Sequence, residues 1–290
     1  MTATTPTPAT HEPTRGTLHE SSATTASTCG TPRETPAPHE TPAPHETPAP
    51  HESAPAHETP AATAASAALR VKLGLAAPAL RAATAGLWSY DQGPEELRAA
   101  YVRYLFAMHT LVRASVPLME RAASRCAELG AADAVAGPLG RYLEVHAEEE
   151  RGHDDWLLDD LAAAGADPAE ALRRLPHPVV ADLAGAQYYW IEHHHPVALL
   201  GYIRVLEDNA PAPWLADRLA ARSGLPAAAF RTVREHAELD TGHIAALDDL
   251  LDALPLSAAQ QVAVAVSALC TADGVTRLFS HLASAPGGTP

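Results

Sequence analysis

The sequence predicts an all-α domain that follows a long disordered tail. Three observations support this class. From about residue 67 onward, apolar residues recur with helical spacing, and most Pro and Gly residues fall between these periodic stretches. No stretch alternates β-branched and polar residues as a half-buried strand would. Before residue 67, Leu18 is the only large apolar residue after the initial Met, so this part has little to bury.

Residues 1–66 form the predicted tail, and residues 67–290 form the predicted domain. Within the tail a six-residue unit, E-T-P-A-P-H, recurs with Glu at 34, 40, 46, 52 and 58 and His at 39, 45, 51 and 57. Frequent proline prevents helix formation and favours polyproline II. The evenly spaced His residues could bind metal weakly, but a solvated low-complexity segment is the commoner meaning of such a composition.

Eight helices are predicted in the domain, each bounded by Pro, Gly or a capping residue. Asp133 and Ser257 are predicted N-terminal caps, and Gly130, Gly165 and Gly224 stand where helices should end. A helical domain of this size can bury a polar site between its helices. The predicted helices span residues 67–85, 94–129, 132–164, 179–194, 197–209, 212–223, 226–253 and 257–283.

Charge and cysteine usage exclude several classes of protein. The chain has 35 acidic and 20 basic residues, a net charge of −15, whereas nucleic-acid binding draws on a basic surface. Cys29, Cys126 and Cys270 are odd in number and form no C-x-x-C pair, which favours a reducing compartment over a disulfide framework. The sequence has no N-terminal apolar signal segment and no uninterrupted run of 18 apolar residues. We therefore expect a soluble, cytoplasmic protein without nucleic-acid or membrane partners, and a homodimer is a possible assembly.

Two segments, ninety positions apart, are near copies of each other. His146–Leu161 reads H-A-E-E-E-R-G-H-D-D-W-L-L-D-D-L and His236–Leu251 reads H-A-E-L-D-T-G-H-I-A-A-L-D-D-L-L, with eight of sixteen positions identical. Each segment contains His, a carboxylate four residues later, and His three residues after that. Because positions i, i+4 and i+7 of an α-helix share one face, each segment should direct two imidazoles and a carboxylate the same way.

These two triads lie in the register of the hydrophobic core. The first comprises His146, Glu150 and His153, and the second comprises His236, Asp240 and His243. Unpaired buried polar groups would cost several kcal/mol, whereas divalent metal ions satisfy carboxylates and imidazoles together. The triads therefore predict a pair of metal ions. The apolar residues on the same faces are Leu139, Leu143, Leu157 and Leu161 for the first triad and Phe230, Val233, Leu247 and Leu250 for the second.

Further residues near the triads extend this hypothesis. Gly152 and Gly242 directly precede the second His of each triad. Since a mid-helix Gly costs about 1 kcal/mol relative to Ala, both predict the close approach of another helix or a ligand. Glu207 is a third carboxylate in core register and is expected to bridge two ions. A donor set of nitrogen and oxygen without thiolates suits di-iron or di-manganese rather than a Cys-type zinc site.

Several motifs together resemble the haem-oxygenase-like di-iron oxidases and oxygenases, often described as iron-containing redox enzymes. They are E-R-G-H at 150–153, Y-Y-W-I at 188–191, P-V-A-L-L-G-Y-I-R-V-L-E at 196–207 and H-A-E-L-D-T-G-H at 236–243. The resemblance covers about residues 94–283 and implies a seven-helix, haem-oxygenase-like bundle. His146 takes a position where some members carry Glu, so Glu150 ranks above it as a ligand. The iron ligands that the resemblance implies are Glu150, His153, Glu207, His236, Asp240 and His243.

Four other residues are weaker candidates for the site. Glu120 could add a ligand, although an ordinary solvated Glu is at least as common. His195 could line the mouth of a substrate pocket, but a His cluster at the end of a helix is more often structural. Arg103 and Arg204 are the candidates for binding a substrate carboxylate.

The expected function is O2 activation by a non-haem di-iron oxidase or oxygenase that oxidises an amine, an amino acid or a fatty acid. Its cofactors would be two Fe(II) ions, with Mn as an alternative, and O2 would be the co-substrate. Glu150 and Glu207 are the predicted catalytic carboxylates. The alternatives are a ferritin-like iron-storage protein and a non-catalytic small-molecule carrier on the same bundle. A thiaminase-like protein of the same fold relies on a Cys nucleophile, and neither Cys126 nor Cys270 has nucleophile machinery beside it.

Overall fold

The computed structural model describes residues 64–285, with the side chains of Asp240 and Thr241 excepted. This part of the chain is built from α-helices joined by short 3₁₀ turns and contains no strand, which confirms the all-α class. Nearly all of the predicted tail lies outside the described residues. The helices are α1 (Ala65–Leu87), α2 (Pro94–Val112), α3 (Ser115–Leu129), α4 (Ala136–Glu149), α5 (His153–Ala163), α6 (Pro168–Arg173), α7 (Pro178–His193), α8 (Leu199–Asp208), α9 (Leu215–Ser223), α10 (Arg231–Ala253) and α11 (Ala258–Ser284).

Helix α11 forms the spine of the bundle and packs against α1, α7 and α8. Its contact with α8 is a backbone contact, since a Cβ atom at Gly201 would lie 2.2 Å from the carbonyl oxygen of Val264. The glycine of the L-L-G-Y motif therefore allows two helices to touch. By length and composition α11 could cross a membrane, but 56% of its most apolar stretch is buried inside the protein, as in the core helix of a helical bundle.

Most predicted helix boundaries agree with the structure to within a few residues. Ser257 caps α11 in a capping box with Gln260. The side chain of Asp133 accepts hydrogen bonds from the backbone N–H groups of residues 135 and 136 at the start of α4. The three predicted stops are confirmed at Gly130, Gly165 and Gly224, all with positive φ.

Two predicted helices are each divided in the structure, and these predictions were wrong. The helix predicted over 94–129 ends at Val112 and restarts at Ser115. Pro117 explains the break, because it has no N–H for the carbonyl of Arg113 and its ring crowds that carbonyl. The helix predicted over 132–164 breaks between Glu149 and His153. A short helix, α6, was also missed, although Asp167 caps it and Pro168 begins it.

Gly152 causes the second break. Its φ of +89° lies in the left-handed region, which L side chains rarely adopt, and it immediately precedes α5. The close approach that this glycine was expected to permit is absent, because an added Cβ would meet no atom within 4 Å. The same holds for Gly242, which sits in open space within α10. Gly152 therefore serves a turn, and for Gly242 the structure offers no packing reason.

Candidate metal centre

Six of the seven predicted ligands converge where α4, α5, α8 and α10 meet. His146 lies in the last turn of α4, and Glu150 caps that helix. His153 is the first residue of α5, so the turn at Gly152 separates the third member of the first triad from the other two. The spacing predicted that the triad lies on one continuous helical face, and this prediction was wrong. The turn nevertheless keeps both histidines buried, each with 3% of its surface exposed.

One group of potential ligands contains His146, Glu150, Glu207 and His243, whose donor atoms all lie within 4.8 Å of one another. The two oxygens of Glu207 face different imidazoles. Its Oε1 lies 3.3 Å from Nε2 of His146, and its Oε2 lies 3.2 Å from Nδ1 of His243. Glu150 Oε1 lies 3.8 Å from the same Nδ1 of His243. Two carboxylates and two imidazoles thus surround one point.

A second group contains Glu150, His153 and His236, again with donor atoms within 4.8 Å of one another. Glu150 Oε2 lies 3.2 Å from Nδ1 of His153. Nδ1 of His236 lies 3.0 Å from the carbonyl oxygen of Thr232, so this nitrogen carries the proton and Nε2 remains for a metal. Glu150 belongs to both groups and directs one oxygen to each. The arrangement makes Glu150 the shared carboxylate, whereas Glu207 belongs to the first group alone.

Aromatic side chains hold two of the imidazoles in place. Tyr142, one turn before His146, stacks on that ring with 5.5 Å between centroids and 13° between planes. Trp156 stacks on His153 at 4.0 Å and 29°. The rings of His146 and His243 meet edge to face at 4.6 Å. Such packing restricts ring rotation, which is a requirement for a preorganised metal site.

Helix α10 is anchored beside the site by Asp160, a fully buried residue of α5. The two carboxylate oxygens accept hydrogen bonds from the backbone N–H groups of Arg231 and Thr232, each at 3.0 Å. Burial nevertheless raises the pKa of Asp160 to about 6, against the effect of these hydrogen bonds. This carboxylate fixes the start of the helix that carries the second triad.

The electrostatics of the site favour ionised carboxylates. Burial alone would raise the pKa of Glu207, but hydrogen bonds from His146 and His243 outweigh it and lower the pKa to about 2. The pKa of Glu150 is also lowered, because the hydrogen bond with His153 and its charge outweigh burial. Glu207 raises the pKa of His243, whereas burial lowers that of His236. Both buried carboxylates are therefore ready to accept cations.

A cavity of about 140 Å³ opens against the two groups. His146, Glu150, Glu207 and His236 form part of its wall. Within the described part of the chain, no Arg or Lys contributes to its wall. The remaining wall is mostly apolar and includes Met108, Leu111, Leu118, Met119, Leu157, Ile203, Leu206, Val275 and Phe279.

Of the seven predicted ligands, six lie together in these two groups, and the side chain of the seventh, Asp240, lies outside the described ones. Glu120 does not join them, because it is exposed and pairs with Arg151 at 3.1 Å. His195 has a structural role. Its Nδ1 accepts the backbone N–H of Val197, and its Nε2 lies 3.1 Å from Asp133.

The two candidate carboxylate-binding arginines do not reach the cavity. Arg204 is buried, with 2% exposed, but it forms ion pairs with Asp208 and with Asp248. Arg103 is half-buried on α2 and is also absent from the cavity wall. Cys126 is buried, and burial raises the pKa of its thiol to about 12, so it is a poor nucleophile.

One residue near the site escaped the sequence-based reasoning. Glu149 is half-exposed, yet its Oε2 lies 3.6 Å from Nδ1 of His146 and 3.7 Å from Nε2 of His243. The run of three glutamates at 148–150 was the available signal. Helical spacing pointed to Glu150 alone, and the contact of Glu149 with His243 depends on how α4 and α10 pack.

A helical bundle that gathers imidazoles and carboxylates beside an apolar cavity has the side chains to hold metal ions without thiolate ligands. Residues 141–274 match the model of a family described as iron-containing redox enzyme. This match confirms the resemblance drawn from the sequence motifs.

Two solved structures are similar to this chain in fold. The chain is similar to a domain of unknown function with a heme oxygenase-like fold from Shewanella denitrificans OS217, with 16% identity over 75% of this chain and 88% of the other and a TM-score of 0.57. It is also similar to a TenA homolog from Pseudomonas syringae pv. tomato str. DC3000, with 11% identity over 73% of this chain and 92% of the other and a TM-score of 0.55. A comparison with curated protein sequences found no match. The fold is therefore haem-oxygenase-like.

Proposed function

We propose that this protein is a non-haem di-iron oxidase or oxygenase that uses O2 to oxidise a small organic molecule. The observation that carries the proposal is the pair of His and carboxylate groups that share Glu150 beside a mostly apolar cavity. The family match to iron-containing redox enzymes supports iron as the metal. Two ions, O2 dependence and the nature of the substrate are the proposed refinements.

The donor set fits iron. All six described candidate ligands offer imidazole nitrogen or carboxylate oxygen, which suit Fe(II) and Mn(II). Glu150 and Glu207 are largely buried, and within the described part of the chain their side chains pair with histidines rather than with Arg or Lys. Buried carboxylates without a permanent cation are costly, and divalent ions would neutralise them. Two Fe(II) ions, when bound, supply electrons for the reduction of O2.

The chain's own residues would perform three tasks. Glu150 would hold the two ions at a fixed separation, because its oxygens already face the two groups separately. Glu207 would bind one ion, with its two oxygens positioned by His146 and His243. The apolar wall would exclude water from the reacting atoms, which strengthens electrostatic interactions and limits side reactions.

The cavity restricts the substrate. Its volume of about 140 Å³ resembles that of an engineered apolar cavity of roughly 150 Å³ that binds benzene. Because no Arg or Lys lies in the described wall, a substrate carboxylate far from the metals would have no cationic partner. We therefore favour a substrate with a small apolar body and one polar group, an amine or a carboxylate, held at the metal end. A free amino acid fits less well, because it carries two charged groups.

The test is an anaerobic titration of the metal-free protein with Fe(II), followed by exposure to O2 with and without candidate substrates. We expect about two Fe(II) per chain, with O2 consumption and an oxidised product that depend on iron. Full activity with zinc alone and no iron would overturn the proposal. A protein that binds no metal would instead support a carrier, and a cage-sized assembly that accumulates iron far beyond two ions per chain would support storage.

A further inference from the structure

Glu149 is an exposed carboxylate that contacts a buried and a partly buried histidine on different helices. Its side chain is 52% exposed, whereas that of His146 is 4% exposed and that of His243 is 13% exposed. A single oxygen, Oε2, lies 3.6 Å from Nδ1 of His146 and 3.7 Å from Nε2 of His243. An exposed side chain needs a shift of only about half an ångström to shorten both distances to hydrogen-bond length.

Each of these imidazoles therefore has an inner and an outer nitrogen. The inner nitrogens, Nε2 of His146 and Nδ1 of His243, face the two oxygens of Glu207 at 3.3 and 3.2 Å. The outer nitrogens face Glu149. If the inner nitrogens bind a metal ion, each outer nitrogen carries a proton and needs an acceptor. A carboxylate is a common acceptor in this position, where it fixes the tautomer and the ring orientation of a metal-binding histidine.

We propose that Glu149 is the positioning residue for both histidines of the first group, and that it accepts a hydrogen bond from the outer N–H of each. This inference rests on the proposed metal site and adds a residue that touches neither metal nor substrate. One carboxylate would thereby tie α4 to α10 beside the site. It would also favour the tautomers in which the inner nitrogens are free to bind metal.

The neighbouring Glu148 provides a matched control. It is also an exposed glutamate on the last turn of α4, with 71% of its side chain exposed, and it pairs with Arg151 at 2.9 Å. Among the described residues, Glu148 forms no hydrogen bond or ion pair with a candidate ligand. Glu148→Ala and Glu149→Ala remove the same group from adjacent positions of one helix, and only the second removes a contact with the imidazoles.

The experiment is an anaerobic titration of full-length, metal-free protein with Co(II), whose absorption bands report the ligand geometry. We expect Glu149→Ala to weaken one of two Co(II) binding steps by about 10- to 100-fold and to change its absorption bands. The affinity for Co(II) at the second group, which contains His153 and His236, should change much less. Glu149→Gln, which keeps an acceptor oxygen without the charge, should recover part of the loss. Glu148→Ala should match the parent protein.

The outcomes separate this inference from the proposed function. If the parent protein binds two Co(II) ions and Glu149→Ala binds both as tightly as Glu148→Ala does, the role of Glu149 is refuted and the metal site stands. If the parent binds no Co(II), the proposed metal site itself fails. Equal losses in Glu148→Ala and Glu149→Ala would indicate a general effect of surface charge and would also refute a specific role. Circular dichroism and melting of the metal-free variants check that each folds.

Discussion

If the two proposed metal ions bind, replacing Glu150 by Gln should remove most of the stabilisation that they provide. Glu150 is the only residue common to the two groups of potential ligands in the described part of the chain. Its two oxygens face His153 and His243. A neutral amide of the same shape can accept a hydrogen bond from His153, but it cannot join two cations. The change should therefore leave the metal-free fold nearly intact while weakening both sites.

The expected magnitude follows from linkage between binding and folding. An ion present at 100 times its dissociation constant stabilises the folded state by about 2.7 kcal/mol, so two independent ions contribute about 5 kcal/mol. For a domain of this size, 1 kcal/mol shifts the melting temperature by about 2–4 °C. The parent protein should gain about 10–20 °C on metal binding. His153→Ala, which affects only the second group, should keep about half of that gain, and so should Glu207→Gln in the first group.

The assay is thermal melting followed by circular dichroism, with metal-free protein compared with anaerobic Fe(II)-loaded protein. Glu150→Gln should gain at most a few degrees, about the size of an unspecific effect. A gain in Glu150→Gln equal to that of the parent would refute the shared role. If Glu207→Gln lost the whole gain in melting temperature while Glu150→Gln kept about half of it, the carboxylate shared by the two ions would be Glu207. That is the role that the sequence alone had suggested for Glu207.

Three further predictions concern pH, a turn and the N-terminal segment. In metal-free protein the pKa of Glu207 is about 2, below its ordinary 4.5, so its contribution to stability is complete above pH 4.5 and is lost as the pH falls from 4.5 towards 2. Urea unfolding at about pH 5.5 and about pH 3 should therefore differ less for Glu207→Gln than for the parent. An equal difference in the two proteins would contradict the hydrogen bonds assigned to Glu207. Gly152→Ala should lower the free energy of unfolding by about 1–2 kcal/mol, because φ is positive at this position. Gly242→Ala, within a helix and in open space, should raise it by up to about 1 kcal/mol. Equal effects of the two substitutions in denaturant unfolding would refute the role of Gly152 in the turn. A chain that begins at Ala64 should keep the melting temperature and the metal stoichiometry of the full chain, because the preceding residues have almost no apolar side chains to bury. A drop in melting temperature as large as the loss of a core helix would cause would show that those residues belong to the fold.

Helix boundaries show how far local signals carry a prediction of the fold. Ser257 with Gln260, and the glycine at position 130, mark helix ends through hydrogen bonds and backbone angles that involve only neighbouring residues. Such signals can be recognised in a sequence. The breaks near Pro117 and Gly152 were also local, but both lie within apolar periodicity that continues on either side. A period of 3.6 residues persists across a tight turn, so periodicity alone joined two helices into one.

The candidate site likewise has some features that local signals predict and others that they do not. The spacing of His146, Glu150 and His153 predicted which residues enter the interior, because burial of a polar group in core register has a local signature. No local sequence signal predicts how these residues are distributed between the two groups of potential ligands. It depends on distances between side chains of α4, α5, α8 and α10, which are far apart in the chain.

By itself, the sequence determined the helical class, the apolar faces of the helices and the six described residues that meet at the centre. Those properties follow from periodicity and side-chain chemistry, which each helix carries independently of its neighbours. Only the tertiary structure decided that Glu150 is shared by both groups, that Arg204 is occupied by ion pairs, and that Glu149 reaches two histidines. The physical reason is that these properties are distances of 3–4 Å between separate helices, set by the crossing angles and the turn at Gly152.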